Sequence, residues 1–176
     1  MPPSVTAIFN DFVGRRKGIV KALTTDSNKL FAACRPDLEN QILYAFPEGT
    51  WTVDFPPEEV PPEAPEPALG INFPRDGMPR LEWLCLIAVH SDAWLISLAF
   101  FKGVKLSKEE RQDLFNRMNT LPTCYEVVVG AAKSGGEGQG ADDGAGGSED
   151  EWKAGEVRVQ KKYKRGAISQ NAGLQG

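Results

Sequence analysis

At 176 residues, 41% of them hydrophobic, with a net charge of −4, the chain has room for one ordinary domain and an extension. Its three cysteines, Cys34, Cys85 and Cys124, are odd in number and far apart, which excludes a disulfide framework and suits a reducing compartment. Residues 1–130 carry thirteen Lys/Arg against seventeen Asp/Glu, and residues 131–176 carry seven of each, so the apolar-rich part is a poor match for a polyanion except through a local basic patch.

From Ser4 to Leu23 the apolar residues Ile8, Phe9, Phe12, Val13, Ile19, Val20 and Leu23 recur at helical spacing, with Ser4 or Thr6 placed to cap the start. Arg15, Arg16, Lys17 and Lys21 fall mostly on the opposite side and form a basic face. Gly14 and Gly18 each cost about 1 kcal/mol in helix propensity. Their spacing marks either a close approach by a neighbouring backbone or a kink. Thr24-Thr25-Asp26 reads as a boundary and a new cap. A short helix carrying Leu30 and Phe31 follows and stops before Pro36, because the residue preceding proline disfavours helix. Gln41–Phe46 and Thr50–Phe55 read as a hairpin turning at Pro47-Glu48-Gly49, with Trp51, Val53 and Phe55 on one apolar face.

Six prolines lie between Pro56 and Pro67, interleaved with Glu58, Glu59, Glu63 and Glu66. Such a stretch is neither helix nor central strand. It reads as an extended strap held by Val60, Leu69, Ile71 and Phe73. Leu81–Val89 and Ala93–Phe101 read as two helical pieces with Ser91 or Asp92 capping between them; a strand through Leu84–Val89 is the alternative. Residues 81–101 approach the length of a bilayer span, but Glu82, His90, Ser91 and Asp92 interrupt them, which predicts a buried helix in a soluble protein. The N-terminus lacks the basic-then-apolar order of a signal peptide. Ser107-Lys108-Glu109-Glu110 is a capping box opening a helix with Leu114, Phe115 and Met118 inward, stopped by Pro122. A last helix, about 123–129, is expected to end at Gly130. Beyond it, GGEGQGADDGAGGSEDE is low-complexity linker, and residues 131–176 are expected to be disordered.

No arrangement in the sequence supports catalysis. His90-Ser91-Asp92 names the residues of a triad, but neighbours in one chain point apart and cannot line up a proton relay. A helix cap beside a partly buried histidine is the expected reading. The glycines at 135–147 follow no strand and open no helix, and Asp142-Asp143 lacks calcium-loop spacing. Three cysteines without a C-x-x-C pair do not make a zinc site. Trp51, Trp83 and Trp94 read as core. What remains are candidate contact surfaces. Arg15, Arg16, Lys17 and Lys21 are the nucleic-acid candidate in the ordered part, or a solvated helix face. Lys161, Lys162, Lys164 and Arg165 form a basic cluster suited to nuclear import or a weak nucleic-acid contact. Pro61, Pro62, Pro65 and Pro67 form either a structural strap or a partner-docking ridge, since polyproline loses little entropy on binding.

The wording IFNDFVGRRKGIVKALTTD at 8–26, LYAFP at 43–47, PPEAPEPALGINFPRDGM followed by WLCLIAVHSDAWLISLAFF, and RQDLFNRMNTLPTCYEVVVG at 111–130 resembles the N-terminal domain of the Alfin-like proteins of plants and green algae. The resemblance covers about residues 4–130. It implies a non-catalytic, chromatin-associated transcription regulator of the nucleus. Its partners would be other Alfin-like chains, Polycomb-type RING proteins and other transcriptional regulators; direct DNA binding through the basic face is the alternative. In that family a C-terminal PHD finger, built on seven cysteines and one histidine, reads trimethylated histone lysine. These 176 residues hold too few zinc ligands for such a finger, so no histone-reading residue carries over. The expectation is therefore an α+β fold: one mostly helical small domain at 4–130 with a β-hairpin and a proline-rich strap, then a disordered tail at 131–176. No catalytic residue, metal or cofactor is expected.

Overall fold

The first helix is the piece on which the others are hung. α1 (Val5–Leu23) starts where Ser4 is extended and its hydroxyl accepts the Ala7 N–H at 3.1 Å, satisfying a backbone donor the helix itself leaves over. Ile8, Phe12, Ile19 and Leu23 recur on one side and are buried. α1 meets α2 (Ser27–Ala33), α3 (Arg80–Lys102), α4 (Lys108–Asn119) and both strands of the hairpin, β1 (Ile42–Ala45) and β2 (Trp51–Asp54). A final helix, α5 (Cys124–Gly135), follows α4. In this computed structural model, residues 1–58 and 62–135 are described; the chain is α+β, helices packed around one two-stranded antiparallel sheet.

The two glycines of α1 mark a close approach. A Cβ on Gly14 would stand 1.8 Å from the Pro47 carbonyl oxygen, and one on Gly18 would stand 2.5 Å from that of Thr50. The hairpin turn therefore lies directly on the helix backbone. The strands are shorter than the sequence implies, and they pair Ile42 with Asp54, Leu43 with Val53, Tyr44 with Thr52 and Ala45 with Trp51. Ile42, Leu43 and Ala45 are buried, whereas Trp51 and Val53 are half-buried and Phe55 is exposed. The expected apolar face of β2 is thus an edge of the core. Trp51 also makes a polar contact, its indole N–H donating to Asp26 at 2.9 Å. That bond occupies the Asp26 carboxylate, which stands at the N-cap of α2 and makes no capping bond there.

The apolar run expected as two pieces is one helix. α3 continues unbroken from Arg80 through His90, Ser91 and Asp92 to Lys102 and closes at Gly103. Serine and aspartate interrupt helices when their side chains bond the local backbone. Ser91 is buried, and the Asp92 carboxylate turns away to another element, so neither competes with the ladder. His90 is exposed rather than partly buried. By length and composition α3 matches a bilayer-crossing segment, and half of its apolar window is buried within the fold. Trp83 at its start is wholly buried and donates to the Ile71 carbonyl at 2.8 Å; burying such a ring stabilises by about 3 kcal/mol.

α4 opens with the expected capping box, Ser107 and Glu110 bonding each other's backbone. Leu114 and Met118 point inward, but Phe115 is 42% exposed. α5 does not stop at Gly130, where an added Cβ would meet nothing within 4 Å. One glycine costs a helix only about 1 kcal/mol, and the alanines that follow continue the ladder to Gly135.

The strap ends in a buried amide knot. Asn72, fully buried, accepts the Gln41 N–H at 2.9 Å and donates to the carbonyls of Arg35, Leu38 and Glu39. Gln41 in turn accepts from the Arg35 N–H and donates to the Ala33 carbonyl. Gly70, at φ +76°, turns the chain so that its own N–H and that of Ile71 both reach the Gln41 carbonyl. Ile71 is buried, whereas Leu69 and Phe73 stand more than half exposed, contrary to their expected anchoring role. Val60 lies outside the described residues.

Candidate interaction surfaces

The basic residues of α1 are not one open face. Arg15 is drawn inward: its Nε donates to Asp11 at 2.9 Å, its Nη1 donates to the Ala45 carbonyl at 2.8 Å, and its guanidinium lies 5.8 Å from the Trp94 ring centre. Arg16 donates to the Pro122 carbonyl at 2.9 Å, holding the segment that leads into α5. Lys17 is exposed, and Lys21, also outward, stands 3.7 Å from Asp26. Asp11 also takes Lys102 of α3 at 2.6 Å. Partial burial pushes its carboxyl up, but the bonds from Lys102 and Arg15 outweigh that and hold it below the ordinary value.

A companion contact fixes the start of α5. Asp92, from the middle of α3, accepts the Cys124 N–H at 2.8 Å through one oxygen and the Tyr125 N–H at 3.0 Å through the other. Desolvation raises its pKa, with those amides and Arg16 opposing. Asp92 is a cap after all, on a helix 32 residues away.

The strap is tied to the domain at Pro65, Glu66 and Pro67. The Pro65 carbonyl accepts the Trp94 indole N–H at 3.0 Å, Glu66 accepts the Tyr44 hydroxyl at 2.7 Å, and Pro67 is buried. Pro62 is exposed. Pro61 lies outside the described residues, as do Lys161, Lys162, Lys164 and Arg165. Where the strap ends, a groove of about 380 Å3 opens, lined among others by Leu69, Ile71, Trp83, Leu86 and His90.

A further surface was not read from the sequence. Ile96, Phe100 and Phe101 of α3, Val104 in the following turn, and Phe115 of α4 are all exposed, from 37% at Phe100 to 72% at Val104. The Phe100 and Phe115 rings stand 6.4 Å apart, so the two helices share one apolar face. A sequence signal existed. The run from Leu81 to Phe101 is apolar nearly all round, which asks for complete burial or a second partner, and toward its end Ile96, Phe100 and Phe101 stay exposed.

Among the described residues, no three His, Cys, Asp or Glu side chains gather into a metal-sized group. The three cysteine thiols are buried, and desolvation pushes Cys34 up to about 12 and Cys124 still higher. At neutral pH neither is a thiolate, the form that attacks or ligates.

Residues 4–130 match the Alfin family model. The chain belongs to the Alfin family. It is 55% identical over 129 residues to PHD finger protein ALFIN-LIKE 1 of Arabidopsis thaliana, a match covering 73% of this chain and 54% of that protein. It is 58% identical over 132 residues to PHD finger protein ALFIN-LIKE 7 of Oryza sativa subsp. indica, covering 74% and 49% respectively. This Alfin chain thus spans about half the length of the curated relatives it matches. The α1–hairpin contact, the strap and the apolar face all lie within the matched residues.

Proposed function

We propose that this Alfin domain is a non-catalytic docking module of a nuclear, chromatin-associated transcription regulator, acting through contact with other proteins. The observation that carries the reading is the exposed apolar face of Ile96, Phe100, Phe101, Val104 and Phe115. Clustered large apolar side chains left in water mark binding surfaces in folded domains. Its relatives are named PHD finger proteins, and a domain that brings partners to such a finger fits that company. Other Alfin-like chains and transcriptional regulators are the partner classes; histone contact would belong to a finger, which these 176 residues do not contain. The strap prolines serve as a brace, because the Pro65 carbonyl holds the Trp94 indole and Pro67 is buried.

Direct DNA binding is the weaker reading. It needs cations available to phosphate, and Arg15 and Arg16 already hold the fold together. On the α1 face, Lys17 and Lys21 alone are left to supply a small electrostatic contribution.

The test is transcriptional. The full chain, fused to a heterologous DNA-binding domain and tethered at a reporter promoter, should alter reporter output, and Phe100→Ser with Phe115→Ser should abolish the effect at equal nuclear abundance. Unchanged output from the tethered wild-type chain, or steeply salt-dependent DNA binding lost on Lys17→Gln with Lys21→Gln, would overturn the reading.

A further inference from the structure

The charges beside the apolar face say what kind of partner it takes. On α4, Lys108, Arg111 and Phe115 are spaced three, four and seven residues apart, and so lie on one flank of the helix. Phe115 fixes which flank that is, because its ring meets Phe100 of α3. Lys105 stands next to Val104 in the turn joining the two helices, and both are exposed.

No carboxylate among the described residues pairs with Lys105, Lys108 or Arg111; Arg111 gives one N–H to the Leu106 carbonyl, which steadies its guanidinium. The acids of the same helix are elsewhere. Glu110 is spent on the Ser107 N–H in the capping box, Asp113 is paired with Arg117, and the helical turn carries Glu109 and Asp113 away from the Phe115 flank. The exposed end of α3 adds no acid: its outward residues there are Ala93, Ile96, Ser97, Phe100 and Phe101. An aromatic patch thus has two cations on its α4 flank and a third in the adjoining turn, none paired with a carboxylate among the described residues. In a domain whose net charge is negative, that local reversal of sign is a specific feature.

We infer that the face formed by Ile96, Phe100, Phe101, Val104 and Phe115, bordered by Lys105, Lys108 and Arg111, binds an acidic amphipathic segment of a partner protein. Large apolar side chains of that segment cover the aromatic patch, and its Asp and Glu residues meet the three cations. Apolar cover supplies most of the affinity, and the charges select the partner and orient it. A basic segment with the same apolar pattern is repelled at the same border. This inference rests on the docking-module reading and names its partner class.

Fluorescence anisotropy of the full 176-residue chain tests it. The probe is a labelled peptide of about 16 residues, with Phe, Leu and Trp at the spacing of one helix face and Asp and Glu elsewhere. Two controls replace its acids with lysine or its apolar residues with serine. Saturable micromolar binding of the acidic peptide is expected, with both controls at least about tenfold weaker, a difference of about 1.4 kcal/mol. Lys105→Glu with Lys108→Glu should reduce binding about tenfold and turn preference toward the lysine peptide. Phe100→Ser with Phe115→Ser should abolish it. All four residues are exposed, and unchanged circular dichroism and melting will show that the fold survives.

Equal binding of acidic and lysine peptides, or insensitivity to the charge reversal, would overturn the inference. So would a concentration-dependent dimer that Phe100→Ser with Phe115→Ser dissolves and that excludes the peptide, since the occupant would then be a second copy. A chain that ignores the acidic peptide yet still changes the tethered reporter refutes this partner class alone. A chain that binds it but leaves the reporter silent refutes the regulatory reading instead.

Discussion

Asp92 and Cys124 are joined by a 2.8 Å hydrogen bond from the Cys124 amide to the Asp92 carboxylate. Through it, a residue at the centre of one helix caps the first turn of another. Removing it with Asp92→Ala should cost about 1–2 kcal/mol, the usual worth of such a cap. Hydrogen exchange should quicken at Cys124 and Tyr125 well before the rest of the domain changes. Uniform exchange loss across α1 and α3 would show instead that α5 is not separately secured.

Gly14→Ala should destabilise the domain, although alanine is the better helix former. The intrinsic gain is about 1 kcal/mol, whereas the new methyl would overlap the Pro47 carbonyl and force the hairpin turn off α1. The expected net loss is roughly 2 kcal/mol. Gly130→Ala is the matched comparison: nothing stands within 4 Å of the added carbon, so melting should hold or rise. Thermal denaturation of the pair decides it, the two shifts having opposite signs.

Asn72→Leu should be among the most damaging single changes of similar volume. It leaves the Gln41 N–H and the carbonyls of Arg35, Leu38 and Glu39 without the amide that joins them. Leaving such buried groups unmatched costs about 2–4 kcal/mol in sum. Urea denaturation should show a lower midpoint, and limited proteolysis should cut first between residues 35 and 41. An unchanged midpoint would mean water replaces the amide.

Stability should fall with acid partly through Asp11. Its carboxyl is held below the ordinary value by Lys102 and Arg15, so its contribution is present above the unfolded value of about 4 and disappears as pH drops through the lower folded value. Asp11→Asn should lower stability at neutral pH and flatten the acid limb, the two proteins converging near the foot of the curve. Parallel curves at all pH values would remove Asp11 from the acid response.

The amphipathic spacing of α1, the capping box of Ser107 and Glu110, and the proline content between Pro56 and Pro67 are local properties, and each was legible in the residues alone. Period, cap chemistry and a missing N–H act within a few residues of themselves. The family likeness was also written there, in long runs of unusual wording. What the sequence left open was the partner of each polar and aromatic side chain. Asp92 was readable as a cap, but only the approach of α5 decided which helix it caps; Arg15 and Arg16 looked like a free basic face until the Ala45 and Pro122 carbonyls came within reach of them. Phe115 was expected inside because its spacing allowed it, and the fold turned it outward beside Phe100. Contacts between residues distant in sequence depend on how helices settle against one another, and spacing along the chain does not encode that geometry.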